Sequence, residues 1–114
     1  NSGIFFRAPA GPTIAEPEKA YEVQIIGRER LIQVNDRYPT GSLWGRMPSL
    51  DLVGDDEWCD LHIVVVKNRV RVSINGQEEV DFTDPNPDYP RRGYIKLQTM
   101  QDTEVQFMDF QLKP

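Results

Sequence analysis

Apolar side chains in this chain recur at every second position, in short runs closed by Gly, Asn, Asp and Pro. A period of two is the pattern of a β-strand with one face buried, and it excludes a fold built on long helices. Residues 70–74 set Val70, Val72 and Ile74 on one face and Arg71 and Ser73 on the other. Asn75-Gly76 follows, a pair suited to the two positive-φ positions of a tight hairpin turn, and Val80 and Phe82 resume the inward face. Asp84-Pro85-Asn86-Pro87 then breaks the strand. Residues 2–7 read as a short apolar strand ended by Pro9-Ala10-Gly11-Pro12, and residues 21–26 alternate Tyr21, Val23 and Ile25 against Glu22, Gln24 and Ile26.

The longest run, 58–67, keeps Cys59, Leu61, Ile63 and Val65 in phase and adds Val64 and Val66 on its other face. A central strand covered on both sides is expected there. Residues 94–98 place Ile95 and Leu97 in phase. A closing strand is expected over 104–112, where the phase shifts from Val105/Phe107 to Phe110/Leu112 and implies a bulge near Met108-Asp109. No segment sustains a helical period, and 27–41 reads as a long irregular loop of the kind that lines sites. The expected fold is all-β: an antiparallel β-sandwich, one domain over 1–114. Because residues 1–7 enter a strand directly, the domain is expected to lack its N-terminal strands.

Charge and composition narrow the function classes. The net charge is −5 and the basic residues are scattered, which argues against nucleic acid as a partner. Cys59 is the single cysteine and His62 the single histidine, so an internal disulfide, a cysteine metal site and a multi-histidine metal site are all excluded. No metal or cofactor is expected. No apolar run approaches the roughly 20 residues that span a bilayer as a helix. Asp51, Asp55, Asp56 and Glu57 are acidic but lack the spaced oxygen ligands and turn glycine of a calcium loop, and read as a solvated turn. Asp84, Asn86 and Asp88 read the same way.

Glu22 and Gln24 lie two apart on one strand face, and Arg7 reaches that face if the first two strands pair. Arg, Glu and Gln together offer a charged fork, an acceptor and a group that both donates and accepts, a set suited to polyols. The plainer alternative is an Arg7–Glu22 cross-strand ion pair of little energetic worth. Trp44, among glycines after the long loop, suits stacking on a sugar ring, or equally a core or lid position. Trp58 reads as packing and His62 as structural.

Several segments in order resemble the 3-keto-disaccharide hydrolase domain family, within the concanavalin A-like superfamily. They are Asn1-Ser2-Gly3-Ile4-Phe5-Phe6-Arg7, Tyr21-Glu22-Val23-Gln24-Ile25, Thr40-Gly41-Ser42-Leu43-Trp44-Gly45, Glu57-Trp58, the hairpin Asn68–Gly76, Val80-Asp81, Gly93-Tyr94-Ile95 with Leu97-Gln98, and Val105-Gln106-Phe107. The resemblance implies a jelly roll of two curved sheets and an exported, bacterial, periplasmic or extracellular protein. It also implies action on sugars oxidised at C3. A ketone at C3 acidifies the C2 proton, so a base there permits elimination of the C1 substituent, followed by hydration. On this reading Glu22 is the catalytic base, and Arg7, Gln24, Trp44 and Gln98 contact the carbohydrate. The chain departs from the pattern in carrying Thr99-Met100-Gln101 where many relatives have Asp-His after the glutamine, and Met108-Asp109 where many have Arg-Asn. Two other readings therefore stand beside the enzyme: a non-catalytic carbohydrate-binding module, and a structural or adhesion domain of an exported protein.

Overall fold

The alternation becomes strands wherever a partner lies beside it. The computed structural model describes residues 1–12, 19–50, 53–100 and 103–113. In chain order these form β1 (Ser2–Ala8), β2 (Tyr21–Ile25), a short helix α1 (Arg28–Gln33), β3 (Leu61–Val66), β4 (Arg69–Ile74), β5 (Gln77–Thr83) and β6 (Tyr94–Thr99). All pairings are antiparallel and give two three-stranded sheets, ordered β2-β1-β6 and β3-β4-β5. The fold is all-β, a partial β-sandwich. Among the described residues no helix is long and apolar enough to cross a membrane.

The sheets meet through Phe6, Tyr21 and Val23 on one side and Val70, Val72 and Val80 on the other, with Leu43 among them. Full burial of Val70 and Val72 contributes about 1.5–3 kcal/mol each. Asn75 and Gly76 take φ of 51° and 81°, the left-handed pair the β4–β5 hairpin requires. A polar clasp closes the same core. The Tyr21 hydroxyl donates to Asp84 Oδ2 at 2.7 Å, and the Arg46 guanidinium lies 4.5 Å over the Tyr21 ring. Burial, and then the bond to Asp84, raise the Tyr21 pKa, so the hydroxyl stays a donor at ordinary pH. Asp84 is therefore buried rather than part of a solvated turn, while Asn86 and Asp88 beyond it are exposed, as expected.

Four further expectations are corrected. The strand read over 58–67 shortens to β3, which lies at the margin of its sheet with β4 central. Leu61, Ile63 and Val65 pack on the core as their phase implied, but Val64 and Val66 are exposed instead of covered, and so is Trp58. On β6, Leu97 pairs with Ile4 on the core side yet is 46% exposed, because the core cluster stops short of it. Residues 104–112 form no strand, since alternation supplies an apolar face but not a neighbouring ladder, and Phe107, Phe110 and Leu112 are exposed. Asp109 does adopt φ 53° at the position where a bulge was read. Finally, the loop 27–41 contains α1. In the acidic stretch, Asp55 accepts from the Arg28 N–H at 2.8 Å and Glu57 from the Gly54 N–H at 2.9 Å, while Asp51 lies outside the described residues.

Candidate functional site

Register places the candidate residues. In β2-β1-β6, Gln24, Gly3 and Gln98 stand side by side in one row, and Glu22, Phe5 and Lys96 in the next. Directly opposed residues share a face, so these six look outward from the sheet, away from the Tyr21–Val23 core. The segment 41–44 extends the rows beyond β2: Leu43 bridges Val23, Gln24 N–H donates to Ser42 O at 2.9 Å, and Trp44 N–H donates to Glu22 O at 2.9 Å. Trp44 is thereby set opposite Glu22.

Gly3 makes room for the central carboxylate. A Cβ at that position would lie 2.6 Å from Glu22 Oε1, so the acid folds across the strand where a side chain is missing. Half-buried there, Glu22 has its pKa raised from 4.5 to about 7, by burial first and then by the charge of Asp36. Asp36 is also the hub of the hydrogen bonds. Its Oδ2 accepts from Gln24 Nε2 at 3.1 Å and from Trp44 Nε1 at 3.2 Å, and its Oδ1 accepts from the Tyr38 N–H at 2.9 Å. The Tyr38 ring leans on Trp44 with centroids 5.9 Å apart. Across Gly3 from Gln24, Gln98 Oε1 is buried with no hydrogen-bond partner among the described residues.

Glu22, Gln24, Trp44 and Gln98 are thus brought together, and Arg7 is not. Between Phe5 and Ala8 the β1–β6 register slips: Phe5 pairs with Lys96 and Ala8 with Tyr94, so Ala8 takes the place on the outward face that strict alternation assigns to Arg7. This bulge, with Arg7 at φ 52°, re-aims its side chain. Arg7 Nη1 donates to Lys67 O at 2.5 Å and to Pro90 O at 2.9 Å, tying the two sheets together at the far end of β1 from Gly3. The Arg7–Glu22 ion pair does not form.

Sequence reasoning missed Asp36, and a signal for it was present. Helix α1 ends with Asn35 at φ 52°, its N–H donating to Ile32 O at 3.1 Å, while Asp36 N–H donates to Leu31 O at 3.0 Å. These are the two bonds of a Schellman ending, for which Asn after an apolar-containing run is a recognised cue. The helix end delivers Asp36 to the site. His62 is exposed on β3 of the other sheet.

A half-buried acid with a pKa near 7 and a flanking indole form a site suited to moving a proton on a hydroxyl-rich ring. Residues 1–113 match the family model described as the 3-keto-alpha-glucoside-1,2-lyase-like domain. The chain belongs to this family. No curated protein and no solved structure matches it. Membership in the 3-keto-alpha-glucoside-1,2-lyase-like family makes this a carbohydrate-related, glycosidase-like domain. Trp44, on the 41–44 segment beside this face, belongs to neither apolar cluster.

Proposed function

We propose that this face cleaves the glycosidic bond of 3-keto-glycosides by elimination, with Glu22 as the base. Glu22 takes the proton from C2, the C2–H electron pair becomes the C1=C2 double bond, and the C1–O bond breaks. The departing oxygen leaves with a proton. Addition of water, OH to C1 and H to C2, completes a net hydrolysis. The single observation that carries this reading is the half-buried Glu22 carboxyl folded over Gly3 opposite Trp44, where burial raises its pKa toward the working pH at which a base is most effective. Trp44, partly exposed opposite Glu22, offers a ring face for stacking, while Gln24 is buried behind it and holds Asp36. By the same family resemblance, we place the protein outside the cytoplasm.

The test is release of aglycone from a 3-keto-glucoside set against the unoxidised glucoside. Release from the first alone is expected, with a rate that rises as pH passes through about 7 and Glu22 ionises. Equal release from both substrates rejects the elimination route. One observation favours the binding-module reading: Thr99 and the exposed Met100 follow Gln98 where many relatives carry Asp-His, and His62 is on the other sheet. Saccharide binding that weakens on Trp44→Ala, with no turnover of the 3-keto sugar, would establish that reading instead.

A further inference from the structure

We propose that Asp36 is the positioning residue of this site, fixing the Gln24 amide and the Trp44 indole next to Glu22 through one carboxylate. A single oxygen, Oδ2, receives both donors, at 3.1 Å and 3.2 Å, and so couples the placement of the two side chains. The carboxylate is itself fixed from two sides. The Tyr38 N–H holds Oδ1, and the Schellman ending of α1 holds the Asp36 backbone through Leu31 O. Gln24 is 1% exposed, and a buried amide donor without an acceptor is costly, so this bond is one the fold retains. The inference deepens the proposed function and rests on it for the identity of the saccharide, but not for the geometry.

The arrangement has a consequence for Glu22. Of the groups facing it, β1 contributes Gly3 and Phe5, the 41–44 segment contributes Trp44, and β6 contributes Lys96 across Phe5. Among the described residues Asp36 is the acid whose charge acts on Glu22, with Arg37 next to it stacked 5.4 Å over the Tyr38 ring. Asp36 therefore acts on Glu22 by like-charge repulsion, second to burial, while it holds the neighbours in place.

The test is a side-chain carboxyl 13C titration of Glu22, with the Trp44 indole N–H followed in the same samples, in wild type, Asp36→Asn and Asp36→Glu. In Asp36→Asn the Glu22 midpoint is expected to fall below about 7 while staying above 4.5, because burial remains, and the indole N–H resonance is expected to move. In Asp36→Glu the charge stays, so the midpoint stays near wild type while the longer side chain shifts the indole. With an active protein, Asp36→Glu should raise KM more than it lowers kcat, and Asp36→Asn should move the pH profile toward acid. A folded Asp36→Asn whose Glu22 midpoint and indole resonance both match wild type overturns the proposal. If Asp36→Asn does not fold, an unmoved indole in Asp36→Glu overturns it equally. A moved indole resonance in a protein that turns over no 3-keto sugar keeps Asp36 as positioning residue and rejects the enzyme reading alone.

Discussion

The outer faces of the two sheets carry charge in opposite ways. On β3-β4-β5 the charges are paired and exposed: Arg69 forks onto Asp81 at 2.6 Å and 2.9 Å, and Arg71 meets Glu78 at 2.5 Å. On β2-β1-β6 the central acid, Glu22, is half-buried, forms no ion pair among the described residues, and stands near a second acid. Exposed cross-strand pairs add little to stability but keep a sheet face soluble and in register. A half-buried acid beside a like charge costs stability, and such costs gather at functional sites.

The largest expected difference between the faces is catalytic. Glu22→Gln should lower turnover of a 3-keto-glucoside by about 10²–10⁴-fold, measured as initial rates. The same substitution should stabilise the fold. Glu22's contribution is fully present below pH 4.5 and is lost as pH climbs to about 7, because over that span the unfolded chain gives up a proton that the folded chain keeps. Thermal melts across that range should therefore show Glu22→Gln gaining on wild type, and equal slopes would contradict the burial of this carboxylate. Next in size, Gly3→Ala puts a methyl 2.6 Å from Glu22 Oε1, and displacement of the carboxylate by about an ångström should cost on the order of 10² in turnover.

Between the sheets, Tyr21→Phe removes the donor to buried Asp84 and should cost about 1–3 kcal/mol in denaturant unfolding. Its effect should fall on stability, not on turnover, since the clasp lies on the core side. Smallest of all, Arg71→Ala on the paired face should change stability by at most about 1 kcal/mol and leave turnover unchanged. A large loss of turnover there would erase the contrast between the two faces.

Much of this contrast is legible in the sequence. The alternation over 70–74 and 21–26 and the Asn75-Gly76 turn yield β4, β5 and β2 with the right residues inward, and the spacing of Glu22 and Gln24 puts both on one face. What the pattern does not contain is context. Whether Val64 and Val66 are covered depends on neighbours across the sheet, and Leu97 is on the core side without a core beside it. Helix α1 is a turn and a half long, too short to show a period, and Leu31 and Ile32 are not buried, so no apolar stripe marks it. Asp36 was hidden with it. The slip at Arg7 is invisible for a related reason: a one-residue bulge leaves composition unchanged while exchanging which side chain continues the face.

The central claim is that Glu22 removes a C2 proton. It is tested most directly by running cleavage of a 3-keto-glucoside in D2O and reading deuterium at C2 of the released 3-keto sugar, for wild type and Glu22→Gln side by side. The account predicts release with deuterium at C2 for the wild type and neither release nor exchange for the variant. Release without deuterium, or undiminished exchange in Glu22→Gln, would contradict it.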